Sequence, residues 1–204
     1  MSNMIPNPED YFRELVPSRD ALLVALEQEA EEERIPIVGP VVGALLFILT
    51  RATRARQILE LGTATGYSTI YLARACEALE GRVVTLERDA DMARRAQANF
   101  EKAGLEHRVE IVVGDAFEEM TKMRGPFDLA FLDIDKEGYA GALSHCDRLL
   151  KPGGLLVVDN VAFKGADEFN RIVSAHSYWR AVHLLSLLPQ HSPEKDGLCL
   201  AVRV

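Results

Sequence analysis

The sequence predicts an α/β fold: a doubly wound, seven-stranded, mostly parallel sheet with an antiparallel last strand. Three observations carry this. From Gln57 to Asp159, short apolar runs alternate with longer stretches of helical periodicity. The runs Leu129–Leu132 (LAFL) and Leu155–Val158 (LLVV) are almost uninterrupted, as suits parallel strands covered by helices on both faces. The apolar run before Gly62 leads into a glycine-bracketed turn, Gly62 to Gly66, and then into a helix pattern.

In chain order, Ser18–Glu33 reads as an amphipathic helix, with Ser18 as its cap and Leu22, Leu23, Leu26 and Ala30 as its stripe. Gly39–Thr50 reads as a second, more buried helix. The apolar stretch Ile35–Thr50 is broken by Pro40 and is too short for a typical membrane span. The alternation follows: strand Gln57–Leu61, helix Tyr67–Ala78, strand Arg82–Glu87, helix Ala90–Ala103, strand Val109–Val113 and helix Ala116–Met123. Strand Phe127–Leu132, helix Tyr139–Leu150 and strand Leu155–Asp159 complete it. One short helix, Asp167–Ala175, then precedes two strands, Tyr178–Leu187 and Leu198–Val204. The segment between them holds Pro189, Pro193 and Gly197 and reads as a long hairpin connection. Right-handed crossovers bring the strand C-termini to one edge, where ligands bind. Residues 1–204 read as a single domain, with the helices of 1–50 set against it.

A chain of 204 residues suits one substantial domain. With 48% hydrophobic and 26% charged residues, its balance is that of an ordinary globular protein. A net charge of −8 argues against a protein held to nucleic acid mainly by phosphate contacts. Arg51, Arg54 and Arg56, like Arg94 and Arg95, read as solvated helix faces. Cys76, Cys146 and Cys199 are scattered and show neither a disulfide framework nor zinc spacing. With no secretory pattern in MSNMIPNPEDYF, a cytoplasmic location is expected.

A Gly62–Gly66 turn lets a ligand approach the backbone, and the helix behind it presents free N–H groups and a positive dipole end. Glu87 ends the next apolar run, where such folds place a ribose-binding acid. Ala64 excludes the dinucleotide fingerprint G-x-G-x-x-G. Gly62-x-x-x-Gly66, with Glu60 before it, resembles the first motif of S-adenosylmethionine (SAM)-dependent methyltransferases; an ordinary packing turn has the same spacing.

The other strand ends carry Asp115-Ala116, Asp133 to Lys136, and Asp159-Asn160. A carboxylate ending an apolar strand needs a cation, hydrogen-bond donors or water. Capping accounts for Asp89 and Asp115. Asp133, Asp159 and Asn160 are the hard oxygen ligands that magnesium prefers, provided the fourth and fifth strands are neighbours. A water-filled polar crevice is the alternative.

FLDIDKEGY (Phe131–Tyr139) and GGLLVVDNV (Gly153–Val161), in order after ELGTATGYS (Glu60–Ser68), resemble the cation-dependent O-methyltransferases, the catechol and caffeoyl-CoA O-methyltransferase family. The closing DGLCLAVR (Asp196–Arg203) fits too, so the resemblance runs from about Pro36 to Val204. It implies a Rossmann-like SAM methyltransferase fold. It implies that Asp133, Asp159 and Asn160 bind Mg²⁺, or another divalent cation such as Ca²⁺ or Mn²⁺. Lys136 and Asp133 become the catalytic residues, Lys136 as general base at the acceptor hydroxyl. SAM contacts are implied at Val38, Glu60, Gly62, Thr63, Gly66, Ser68, Glu87, Asp115, Ala116 and Asp133, with Glu87 on the ribose hydroxyls. The implied acceptor is a small catechol-like molecule. Bacterial relatives that modify tRNA hydroxyuridine keep a tRNA acceptor open, and a catalytically silent SAM binder is the other class. The resemblance also implies a homodimer through the N-terminal helices, with no membrane partner. His107, His145, His176, His183 and His191 show no ligand spacing and are read as lying outside the site.

Overall fold

The computed structural model describes residues 4–204; Met1 to Asn3, the start of the expected 1–204 domain, lie outside the described residues. Three helices come first: α1 (Pro8–Glu14), α2 (Ala21–Glu33) and α3 (Gly39–Thr53). The alternating part runs β1 (Gln57–Leu61), α4 (Tyr67–Glu77), β2 (Arg82–Glu87), α5 (Ala90–Ala103), β3 (Val109–Val113), α6 (Ala116–Lys122), β4 (Phe127–Leu132), α7 (Tyr139–Leu149) and β5 (Leu150–Val158). Helix α8 (Asp167–Ala175) and strands β6 (Trp179–Leu187) and β7 (Lys195–Arg203) close the chain.

The sheet has seven strands in the order β3-β2-β1-β4-β5-β7-β6. Only β7 runs against its neighbours, pairing antiparallel with both β5 and β6. The expected fold is therefore the observed one.

Successive strand residues face opposite sides. On one side, Ile58, Leu129, Phe131, Leu155 and Val157 pack with residues of α2 to α5. On the other, Leu59, Leu61, Ala130, Leu132, Leu156 and Val158 pack with α6, α7 and α8. Burial on both faces explains the near-continuous apolar runs of β4 and β5.

Two local expectations are corrected. Asp20, not Ser18, caps α2: its carboxylate accepts from the Leu23 N–H at 3.0 Å. A carboxylate one residue before the first helical turn holds a free N–H there, and Ser18 lies too early to do so. Helix α1 was not expected; none of its residues is buried, so it leaves no apolar stripe to read.

The order of strands reverses between β1 and β4, and the chain beyond the strand ends stays tied to the sheet. The N–H of Gly62 donates to Leu86 O at 3.1 Å, that of Asp133 to Leu61 O at 2.9 Å and that of Asp159 to Leu132 O at 3.1 Å. Three of the expected site residues are thus fixed in adjacent positions at the switch point, where doubly wound sheets bind ligands.

Candidate active site

A cavity of about 320 Å³ opens at these strand ends. Its walls include Val38, Gly62, Thr63, Ser68, Glu87 and the Asp115-Ala116 pair, together with Asp133, Lys136, Asp159 and Asn160. Glu60 and Gly66 do not line it.

The β1–α4 turn forms one end. Gly62 has φ +96° and Ala64 and Gly66 are also left-handed, which brings backbone to the cavity surface. At Gly62 a Cβ would lie 2.1 Å from the Asp133 carbonyl oxygen, so only glycine fits between the ends of β1 and β4. Gly66 packs its backbone on Phe100, which explains its place behind the wall. The Glu87 carboxylate accepts from the N–H groups of Thr63 at 3.2 Å, Ala64 at 2.8 Å and Asp89 at 2.9 Å. It fastens the turn to β2 and still faces the cavity. Asp115 caps α6 by accepting from Phe117 and Glu118 N–H, and Asp89 caps α5 in the same way, as capping logic predicts.

Glu60 is fully buried and is met by the hydroxyls of Ser68 at 2.6 Å, Thr85 at 2.7 Å and Thr69. Burial pushes its carboxyl up to about 7, against the pull of those hydroxyls. Glu60 therefore reaches the cavity only through Ser68, whose hydroxyl it holds.

At the other end, Asp133 leaves β4 and Asp159 and Asn160 leave β5, which pairs beside it. The Lys136 ammonium lies 2.8 Å from Asp133 Oδ1, on the short turn Lys136–Gly138. Burial and the neighbouring Asp159 carboxylate raise the Asp133 pKa, against the attraction of Lys136. Among the described residues, no cluster of three His, Cys, Asp or Glu side chains is arranged for a metal. The donor set on offer is two carboxylates and one amide oxygen.

Two neighbours, His191 and Asp196, are not placed in the site by the sequence, whereas Tyr67 reads as either lining the cofactor site or starting a helix. His191, set aside with the other histidines, is buried against this end. Its Nε2 lies 2.8 Å from Asp159 Oδ2 and its Nδ1 2.8 Å from Pro193 O. Burial disfavours the charged ring, but these two acceptors outweigh it and raise the His191 pKa. Asp196, fully buried, accepts from Asn160 Nδ2 at 2.6 Å. Tyr67, on the cavity wall, donates to Glu27 of α2 at 2.5 Å. No sequence spacing marks His191. The Asp-Gly pair ahead of the last apolar run was the one available sign of Asp196.

The segment bearing His191 is fastened from the N-terminal helices. Arg13 of α1 donates to Glu194 at 2.7 Å, and Arg19 donates to Gln190 Oε1 at 3.1 Å. Lys195 pairs with Glu9 at 2.8 Å.

A family model described as O-methyltransferase matches residues 20–176. The catechol O-methyltransferase of Niastella koreensis is 36% identical, over 99% of this chain and 99% of its own. That of Mycobacterium tuberculosis is 40% identical over 76% of this chain and 73% of its own. Among solved structures, the O-methyltransferase TomG from Streptomyces achromogenes, in complex with SAM, superposes with a TM-score of 0.87 at 30% identity, over 97% of this chain and 96% of that one. An O-methyltransferase from Bacillus cereus, in complex with SAH, gives 0.86 at 30% identity, over 97% of both chains. A matched family model across most of the sheet, and relatives this similar over nearly the full length, settle the lineage: the chain belongs to the O-methyltransferase family and is a methyl-transferring enzyme on the same frame as its SAM- and SAH-bound neighbours.

Proposed function

We propose that this protein transfers the methyl group of SAM to one hydroxyl of a small, catechol-like acceptor, with the help of a divalent cation. The observation that carries the proposal is the meeting of Asp133, Asp159, Asn160 and Lys136 in one cavity with the Gly62–Glu87 turn. Two carboxylates and an amide oxygen suit a hard cation such as Mg²⁺, with open positions left for acceptor oxygens. A cation bound there lowers the pKa of an acceptor hydroxyl that it touches. SAM supplies a methyl carbon on a sulfonium, and the C–O bond forms as the C–S bond breaks, releasing SAH.

The chain's own residues orient the partners, and positioning accounts for much of the acceleration in such a displacement. Glu87 accepts from a ribose hydroxyl: a carboxylate offers about four lone-pair sites, and backbone N–H groups take three, which leaves one. Gly62, Thr63 and Ser68 surround the methionine portion, and Asp115 and Ala116 the adenine. Lys136 takes the proton that the acceptor hydroxyl loses when it stands as the neutral amine; as the ammonium that pairs with Asp133 it stabilises the phenolate instead. Replacing it (Lys136→Ala) is expected to lower kcat about 100-fold. The KM for SAM should hardly change, because the turn that holds SAM is untouched; steady-state kinetics at saturating acceptor would check this.

The catechol O-methyltransferases among the relatives support the acceptor class. Tyr11 and Phe12 on α1, Leu15 just after it, and Phe47 and Ile48 on α3 are exposed apolar residues that support a homodimer through the N-terminal helices. All three cysteines are free and buried, which fits a reducing cytoplasm. No described helix is long and apolar enough to cross a membrane.

The test is labelled-methyl transfer from SAM to a panel of catechols and to hydroxyuridine-containing tRNA, with Mg²⁺ or with EDTA. Transfer to a catechol that EDTA abolishes is the expected result. Transfer indifferent to EDTA would remove the cation from the reading, and transfer to tRNA alone would replace the acceptor.

A further inference from the structure

Asn160 ends β5 in an unusual way. It has φ 51°, a left-handed conformation that asparagine tolerates better than most residues, and it lines the cavity. Its side chain is only useful to a cation in one orientation. The amide carries an oxygen at one end and an NH₂ group at the other, and only the oxygen attracts a cation. Turned over, the same side chain repels it.

The neighbour that decides between the two is Asp196. This carboxylate is fully buried at the start of β7. Its Oδ1 accepts from the Gly197 N–H at 2.6 Å and the Ala162 N–H at 3.3 Å. Its Oδ2 lies 2.6 Å from Asn160 Nδ2. At this contact the Asn160 NH₂ donates and Asp196 Oδ2 accepts, so the NH₂ end of the amide faces the carboxylate. The Asn160 oxygen is thereby turned away. Among the described residues it has no hydrogen-bond partner, and it is not among the sealed, unpartnered polar atoms. The backbone holds the two residues in place, since the Val161 N–H donates to Gly197 O at 2.9 Å.

We infer that Asp196 is a positioning residue: it holds the Asn160 amide with its oxygen toward the cavity, completing the oxygen face begun by Asp133 and Asp159. The inference rests on the proposed cation site. It adds a residue from β7, remote in sequence, that touches neither cation nor acceptor.

Asp196→Asn tests it with almost no change in volume. The new side chain keeps one oxygen for the Gly197 and Ala162 N–H groups and turns an NH₂ group toward Asn160. The Asn160 amide then flips to accept from it and presents NH₂ to the cavity. Mn²⁺ binding, read from the loss of the free-ion electron paramagnetic resonance signal, should weaken about 10- to 100-fold. SAH affinity by calorimetry and the melting temperature should stay close to those of the parent. The reciprocal exchange, Asp196→Asn with Asn160→Asp, restores an oxygen toward the cavity and the original charge. It should recover Mn²⁺ binding to within about threefold of the parent.

Parent-like Mn²⁺ binding by Asp196→Asn would overturn the inference and leave the cation site standing. So would an exchange that fails to recover binding, because charge or folding would then be the cause. If the single variant does not fold, the exchange alone decides in the same terms. A parent protein that binds no Mn²⁺ would remove the cation site, and the inference with it.

Discussion

Replacing Asp133 with alanine is expected to reduce methyl transfer by about 10⁴-fold or more, while the protein melts no lower than its parent in EDTA. The loss is large because several roles meet in one side chain. Asp133 is proposed to ligate the cation, it anchors Lys136 at 2.8 Å, and it borders the space assigned to the methionine portion of SAM. Stability moves the other way. The folded-state pKa of Asp133 is raised, chiefly by burial and then by Asp159. The folded state therefore holds that proton more tightly than the unfolded chain. Its contribution is favourable below the unfolded pKa and is lost as pH rises through the folded one. Where the side chain is ionised and no cation is bound, it is a net burden that alanine removes, and only the Lys136 pair is given up. Thermal melting in EDTA alongside label transfer reads both effects. Full activity in this variant would sink the cation assignment, and a steep fall in melting temperature would make Asp133 a structural residue.

The second large effect is on folding. Gly62→Ala is expected to destabilise the protein by about 4 kcal/mol, a sum of left-handed strain of about 1–2 kcal/mol and overlap of about 1–3 kcal/mol. The overlap is with backbone: the added Cβ would sit 2.1 Å from the Asp133 carbonyl oxygen, which cannot rotate aside. For a chain of this size the melting temperature should drop by roughly 10 °C. Gly104 supplies the control. It too is left-handed, at φ +70°, but a Cβ there meets nothing within 4 Å. Gly104→Ala should therefore show the strain alone, about 1–2 kcal/mol. Equal losses in the two variants, measured by urea unfolding, would show that β1 and β4 can part at no cost.

These two positions also mark what could be read from the chain. Gly62 and Asp133 sit at the ends of apolar runs, and a parallel sheet gives such runs a plain signature because both faces are covered. Their meeting follows from the crossover rule and the strand order. His191 and Asp196 are different. Their importance lies in which oxygen each one faces, and that depends on β7 inserting between β5 and β6. Nothing local in PQHSPEKDG fixes that. Helix α1 was silent for a related reason, since it buries nothing and its partners Glu194 and Lys195 lie at the far end of the chain. Glu60 was legible as a strand-end acid, but its enclosure by Ser68, Thr69 and Thr85 was not.

The segment from Leu188 to Glu194 has a further consequence. It brings His191 and Ser192 to the cavity; surface contacts from Arg13 on α1 and from Arg19 just before α2 reach it and are individually weak, while the buried His191–Asp159 contact ties it to the sheet end. Gly62, Asp133 and Asp159, in contrast, are pinned by the sheet's own backbone hydrogen bonds. The pocket is thus framed by one part fixed through backbone hydrogen bonds and another held by side chains. Exposed positions of this segment, such as Gln190, can be exchanged to retune which molecules enter, whereas His191 must stay because it holds Asp159.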